Sequence, residues 1–437
     1  MANIIPVSTQ WNYLKGPKNN LLTSILERTP ENNETYGKYA FNKMVAIFNI
    51  HGTLIQPKHG SLSYKDENDW EVCNDNIIKK LTKLHKKGIS LAFIDNCHFD
   101  TSEPRVYEIL KAEMQHRIDK FIKALQLPVY VYISLKPDSF QKPYSRIFDY
   151  FNYKFVENNV VIDKAVSVVV GHLGGRIKQK GHENPDMGTL DRAFALNIGF
   201  QYIYPERTFM NNKTDYIWKW PKSMITTEEK IEFLSIAKIP APKIADYAQQ
   251  MYLIIGPPRS TKTSTADKFC EFWNKKCVPC GKSAMKIVRQ ETIYKGSWGT
   301  IDMCLNETKT ILQQGYSVII DANLPDNETR SKFINLAQDD SESKNNKGVF
   351  VGVIEINVPA KICKHLNNFT CSAYINVNFE PKALLPMKHI TKYWKDYQSA
   401  ETFVKKYTND GNKCVVYQKS LYLFPNADKK EMFLQYY

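Results

Sequence analysis

The chain contains no apolar run approaching the roughly 20 residues that a helix needs to cross a bilayer, which excludes a spanning segment of that kind. Its start, Met1-Ala-Asn-Ile-Ile-Pro6, lacks both the basic region and the cleavage site of a secretory signal. A disulfide framework is missing too. The nine cysteines are odd in number and scattered, so reduced thiols in an intracellular, non-secreted protein are expected. The one close pair, Cys277-Val-Pro-Cys280, has no second pair or histidine beside it and reads as two ordinary thiols near a turn rather than a zinc site. No repeat of short period is present, and arginine is absent after Arg330.

What is present is a globular composition, 43% hydrophobic and 24% charged, over 437 residues, too long for one ordinary core, so two or three domains are expected. The net charge of +14 favours a polyanionic partner, because lysines and arginines that neutralise phosphates release condensed counterions. Much of the excess is lysine spread along helices, as in Lys79-Lys80 and Lys86-Lys87, which equally suits a solvated basic surface.

Residues 1–40 are polar without sustained periodicity and are read as an irregular leader. Beyond them strand-like and helical runs alternate: 45–49, 77–87, 89–94, 108–125, 129–134, 145–152 and 166–170. That alternation predicts a doubly wound parallel sheet with helices on both faces over 41–222, with Gly88 as a helix stop. A linker is expected over 223–248, where Thr226-Thr-Glu-Glu229 has the capping-box pattern and Pro240-Ala-Pro242 forms a stiff joint. A second alternation over 249–437, with strands at 251–255, 317–320 and 349–354, predicts a further parallel α/β domain; the polar segment 339–347 reads as a loose loop.

The candidate chemistry lies at strand ends. Asn49-Ile-His51-Gly52-Thr53-Leu54-Ile55 closes an apolar run and resembles the Asp-x-Asp-Gly-Thr of haloacid dehalogenase-type phosphatases with both carboxylates replaced. Such an enzyme needs the first as nucleophile and the second as general acid, with Mg2+ beside them. The amide of Asn49 cannot form an aspartyl-phosphate, and His51 has nothing to protonate without one. Asp95 stands where a phosphate-holding Thr or Ser is expected and would repel a phosphoryl group, Lys142 keeps the expected cation, and neutral His172 is a poor substitute for a hard oxygen ligand. No metal set is assigned.

In the second half, Gly256-Pro-Pro-Arg-Ser-Thr261-Lys262-Thr263 follows a strand and opens a helix, as a phosphate-binding loop does. Lys262 would reach phosphate oxygens and Thr263 would face Mg2+, so ATP and Mg2+ are candidate ligands. The glycine expected before the lysine is Thr261, and Arg259 adds bulk to the loop. A plain strand-to-helix turn explains the same residues. Glu291 is a candidate base for an attacking hydroxyl and Asp321 a candidate metal or nucleotide contact. With no arginine after Arg330, a lid would offer only lysines such as Lys361 or Lys364.

Gly52-Thr-Leu-Ile, Asp69-Trp70, Lys142-Pro143, Gly171-x-x-Gly-Gly-Arg176, Asp191-Arg192-x-Phe-Ala-Leu-Asn-x-Gly199, Lys219-Trp-Pro221, Gly296-Ser-Trp298 and Ile320-Asp321-x-Asn323-x-Pro-Asp326-x-x-x-Arg330 together resemble the phosphatase–kinase core of the polynucleotide kinase 3'-phosphatase family. The resemblance runs from about Lys38 to near Leu423. It implies a haloacid dehalogenase-like domain followed by a P-loop kinase domain, acting on polynucleotide 3'-phosphates and 5'-hydroxyls with Mg2+ and ATP. It places Asn49 on the nucleophile, His51 on the acid/base, Asp95 on the phosphate-binding Thr, His172 on a metal ligand and Glu291 on the kinase's catalytic Asp. The family's lid arginines fall near His365–Phe369, and about 40 leading residues would be too few for the forkhead-associated domain of its animal members.

The expectation is a degenerate relative, a pseudoenzyme that binds nucleic acid, DNA more than RNA, or acts as a scaffold with repair proteins in the nucleus or cytoplasm. Two alternatives stay open: a residual ATP-dependent polynucleotide 5'-hydroxyl kinase, and a protein-interaction module without nucleic-acid binding. Lys392-Tyr-Trp394-Lys395 suits strand contact by stacking, or an amphipathic helix over the core.

Overall fold

The computed structural model describes residues 11–15, 21–30, 37–58, 63–222, 224–235, 249–339, 349–372, 385–409, 415–420, 433 and 436. The chain divides into two compact units, the first built mainly on residues 1–224 and the second on 225–367 and 385–434. Pro240-Ala-Pro242 and nearly all of segment 339–347 lie outside the described residues. Among those described, no helix is long and apolar enough to cross a membrane.

The first unit runs β1 (Trp11–Lys15), β2 (Leu21–Arg28), β3 (Val45–Phe48), β4 (Ile55–Gln56), β5 (Glu71–Val72), α1 (Ile77–Lys86) and β6 (Ser90–Asn96). It continues with α2 (Pro104–Leu125), β7 (Tyr130–Ser134), α3 (Arg146–Glu157), β8 (Val168–Val170), α4 (Leu190–Ile198), β9 (Gln201–Ile203) and α5 (Pro205–Phe209). The main sheet has the order β1-β2-β7-β6-β3-β8-β9, parallel from β7 to β9. The period-two geometry of a strand sends neighbours to opposite faces. Ala46 and Phe48 of β3 accordingly pack with α1 and α2, while Val45 and Ile47 pack with α3 and α4. Fully buried Phe48, Phe93, Phe121, Phe151, Phe155 and Phe194 anchor the two layers, each contributing about 2 kcal/mol by burial. Gly88, at φ +75° behind α1, stops that helix as expected.

Residues 1–40 are not an irregular leader throughout. β1 and β2 form an antiparallel pair whose inner strand joins the edge of β7. The reason lies in burial on both faces: Ile25 enters one core layer and Leu26 the other, so the strand carries no polar alternation to betray it. The hairpin is fastened by Asp119 of α2, which accepts from Trp11 Nε1 at 3.0 Å and Arg28 Nε at 2.6 Å.

The second unit runs α6 (Thr227–Ser235), β10 (Gln250–Ile255), α7 (Lys262–Lys276), β11 (Met285–Arg289), α8 (Ile301–Gln313), β12 (Ser317–Asp321) and α9 (Asn327–Asp339). After these come β13 (Phe350–Ile356), α10 (Ala360–Ser372), α11 (Met387–Asp396), α12 (Ala400–Asn409) and β14 (Val415–Ser420). Its five strands, in the order β11-β12-β10-β13-β14, are all parallel. The capping box forms: Glu229 accepts from Thr226 N at 2.8 Å and Glu229 N donates back to Thr226 Oγ1 at 3.2 Å. Both units thus have the α/β architecture expected of them.

Replacing Asp119 with Ala takes the carboxylate from an Arg28 that is only 3% exposed. The first unit is expected to lose about 3 kcal/mol of stability, measured by urea unfolding; an unchanged midpoint would mean that the hairpin is not fastened there.

Candidate functional site

β3, β6 and β8 lie side by side with β3 in the middle, so their C-terminal ends meet where the sheet's connections diverge, the usual position of an α/β site. β3 delivers Asn49 and His51, β6 delivers Asp95, the loop after β7 delivers Lys142, and the loop after β8 delivers His172. The structure brings all five together. Two further residues complete the cluster: Asp191 from the first turn of α4, and Thr53.

Lys142, only 2% exposed, donates through Nζ to Asn49 Oδ1 and, at 2.6 Å, to Asp191 Oδ1, with Asp95 Oδ1 at 3.7 Å. A reciprocal pair holds its backbone, Lys142 N donating to Asn96 Oδ1 and Asn96 Nδ2 to Lys142 O. Asn49 Nδ2 donates to His51 O at 2.7 Å and lies 3.4 Å from His172 Nδ1. Thr53 Oγ1 accepts from His172 N and stands 3.2 Å from its Nδ1. The imidazole fills the space beside Gly52, where a Cβ would come within 2.7 Å of it.

Asp95 does more than repel. Its Oδ2 accepts from the backbone N–H of Ile50 at 3.2 Å and of His51 at 2.9 Å, and lies 2.8 Å from His51 Nδ1. Its Oδ1 accepts from Asn96 N. Burial alone would raise its pKa, but the Lys142 charge and the His51 contacts win and hold it well below the usual carboxylate range. The amide donors that open the loop after β3 are therefore answered by an anion belonging to the chain.

This donor set does not fit Mg2+. Around the strand ends stand an amide, two imidazoles and the Asp95 carboxylate, which is taken up by backbone amides and His51, while the buried Asp191 carboxylate is bound to the Lys142 ammonium and accepts from Leu173 N. Among the described residues no group of three or more His, Cys, Asp and Glu is arranged to hold a metal.

In the second unit Lys262 opens α7, but its Nζ donates to the loop's own carbonyls, Gly256 O at 2.8 Å and Pro257 O at 3.0 Å. Burial lowers its pKa, opposed by Asp321 and then, more weakly, by Glu291, which places both carboxylates within its field. Thr263 follows it in the first turn of α7. Arg259 and Thr261 both adopt left-handed backbone, at φ +66° and +70°, a conformation that costs a β-branched residue roughly 1–2 kcal/mol. Arg259 is tethered to the fully buried Asn367 of α10. Asp321, at the end of β12, accepts from Arg289 of the neighbouring β11 at 3.1 Å, and Arg289 also reaches Asp267.

Around the position of the expected lid, Leu366 is fully buried. His365 is packed edge-on against Phe433, and Asn367 and Phe369 are buried. Arg330, the last arginine, is fully buried and donates to Leu324 O, Pro325 O, Asn327 Oδ1 and Gln398 O. In α11, Tyr393 enters the core and Trp394 packs against Tyr393 and Tyr397. Sequence reasoning missed Asp191, Thr53 and Arg289 as members of these sites. Asp191 has no signal beyond that of an ordinary first-turn helix residue, and the register partnership of Arg289 with Asp321 is invisible before strands are paired.

Burial pushes His172 below the ordinary histidine range against the pull of Asp191 and Asp95, with Lys142 adding to the depression. Its neutral form therefore contributes stability that is complete above the unfolded value of about 6.5 and is lost as pH falls through the lower folded value. The melting-temperature advantage of wild type over His172→Gln is expected to shrink between about pH 7.5 and about pH 5; a constant gap would contradict a buried neutral imidazole.

Comparison with known proteins is consistent with this geometry. Residues 44–209 match the family described as polynucleotide kinase 3 phosphatase. The bifunctional polynucleotide phosphatase/kinase of Schizosaccharomyces pombe is 25% identical over 309 residues, 70% of this chain and 66% of that protein. A protein of Acanthamoeba polyphaga mimivirus, provisionally described as a bifunctional polynucleotide phosphatase/kinase, is 25% identical over 341 residues, 74% of each chain. An uncharacterised 20.8 kDa protein of Autographa californica nuclear polyhedrosis virus is 28% identical over 164 residues, 37% of this chain and 84% of that one. The chain thus spans just under two thirds of the length of the fission yeast enzyme. It is homologous to the polynucleotide kinase 3 phosphatases and the bifunctional polynucleotide phosphatase/kinases.

Proposed function

We propose that this protein is a pseudoenzyme related to polynucleotide 5'-hydroxyl kinase/3'-phosphatases. It would be phosphatase-like over 41–222 and kinase-like over 249–437, and would bind nucleic acid, DNA in preference to RNA, or act as a scaffold at nucleic-acid ends in the nucleus. The observation that carries the reading is Asp95 seated on the backbone amides of Ile50 and His51, with Lys142 bound to Asn49 and Asp191. A phosphoryl group brought to Asn49 would meet an amide in place of a nucleophile and a buried carboxylate in place of a hydroxyl. Nothing is left there to take up the group and pass it to water. The basic charge of +14 supports a polyanionic partner.

A second reading, residual ATP-dependent 5'-hydroxyl kinase activity, is favoured by Lys262 lying in the field of Asp321 and Glu291. Against it stand the Lys262 ammonium turned onto loop carbonyls and Arg289 neutralising Asp321. With labelled ATP and a 5'-hydroxyl oligonucleotide, no transfer is expected from wild type; transfer abolished by Lys262→Ala would establish the kinase. The wild-type protein is expected to bind a single-stranded oligonucleotide with an affinity that falls steeply between about 50 and about 200 mM salt. Absence of binding would point to a protein-interaction module.

Asp95→Ser removes the internal anion and frees the Ile50 and His51 amides. The variant is expected to be stabilised by millimolar orthophosphate in a thermal melt, whereas wild type is not; equal responses would mean that Asp95 does not occupy a phosphate seat.

A further inference from the structure

We propose that a two-stranded ribbon beside the phosphatase-like site, formed by residues 175–182 and 217–222, is the path of a single-stranded polynucleotide. Phosphates would lie on lysines and bases against Trp218 and Trp220. This deepens the nucleic-acid reading above and rests on it.

The ribbon leaves the loop that carries His172. Lys219 N donates to Gly175 O at 2.9 Å, Ile177 N to Ile217 O at 3.2 Å, and the side chain of Gln179 exchanges two hydrogen bonds with the backbone of Ile217. A tight turn at Gln179–His182 caps it, and Arg176 Nη2 returns to His172 O at 3.2 Å, which fixes the ribbon to the rim of the site. The carboxylates nearest its base are already engaged: Asp186 and Glu206 bind Arg176, and Asp191 binds Lys142.

The lysines are different. Lys178, Lys180, Lys213, Lys219 and Lys222 are all exposed, and among the described residues none of their ammonium groups has an ion-pair or hydrogen-bond partner. The two segments themselves, with Lys178, Lys180, Lys219 and Lys222, contain no carboxylate; Glu183 and Asp215 stand just outside them, and Asp215 lies 3.8 Å from Arg207. Lys268, Lys332 and Lys405 are each matched by a glutamate within one helical turn, whereas Lys79 and Lys83 on α1 are exposed like the ribbon lysines but have no aromatic rings set among them. A run of unmatched ammonium groups is an electrostatic track for phosphates.

Aromatic rings stand within that track. Trp218 and Trp220 are half-buried and meet edge to face at 5.0 Å. Trp218 is held by Arg192, whose guanidinium lies 3.9 Å from its ring and 4.5 Å from that of Tyr202 and donates to Gly174 O and the Tyr204 hydroxyl. Indoles fixed in this way need little further ordering to stack on a base, and stacking accepts any base. A positively charged track alone suits any polyanion; the paired indoles favour a strand with unstacked bases.

The test is fluorescence anisotropy of the full chain with a labelled oligothymidylate and an abasic oligomer of equal length. Lys178→Gln combined with Lys180→Gln is expected to weaken both ligands and to flatten the slope of log affinity against log salt by about 1.4. Trp220→Ala is expected to weaken the oligothymidylate about tenfold and the abasic strand less than about twofold, with Trp220→Phe restoring most of the loss. Melting temperatures establish that the variants are folded. Wild-type binding unchanged in the lysine variant would overturn the ribbon while leaving the nucleic-acid reading intact. Equal loss for both ligands in Trp220→Ala would overturn the stacking role, and no wild-type binding would overturn both readings.

Discussion

The first unit's site depends on one buried carboxylate. Asp95 carries its charge inside the protein because three backbone amides, the His51 side chain and the nearby Lys142 ammonium all answer it. An unanswered carboxylate there would be driven to protonate. The same network fixes its neighbours: Lys142 is shared with Asn49 and Asp191, Asp191 in turn accepts from the backbone of the His172 loop, and Asn96 clamps the lysine's backbone. At the strand ends the Lys142 ammonium stands between two carboxylates, Asp95 and Asp191.

The second unit repeats the pattern with other residues. Its loop lysine is turned inward onto two carbonyls, its strand-end carboxylate is matched by Arg289, and its loop is held in left-handed backbone with Arg259 tied to Asn367. In both units the main charged groups of the site, Asp95 and Lys142 in the first and Lys262 and Asp321 in the second, have internal partners. Exposed lysines without an ion-pair partner among the described residues include those of the ribbon rooted in the His172 loop.

Much of this was legible in the sequence because apolar runs of strand length ending in small or polar residues encode a parallel sheet and place its C-terminal ends. The strands at β3, β6, β7 and β10 and the capping box at Thr226 and Glu229 followed from local pattern, whereas the grouping of Asn49, His51, Asp95, Lys142 and His172 was implied by the family resemblance. What escaped was set by contacts distant in sequence. β2 is buried on both faces and has no alternation, Asp191 reads as an ordinary first-turn helix residue, and the pairing of Arg289 with Asp321 needs the register of two strands 28 residues apart between Arg289 and Ser317. The sense of Asp95 also changed. Its charge was evident, but that it accepts from the amides of the preceding motif required the fold.

The central claim is that position 49 cannot take up a phosphoryl group. The most direct measurement is phosphate release from a 3'-phosphorylated oligonucleotide in the presence of Mg2+, comparing wild type with Asn49→Ala and a protein-free blank. The account predicts that all three are indistinguishable. Release by wild type that disappears in Asn49→Ala would contradict it.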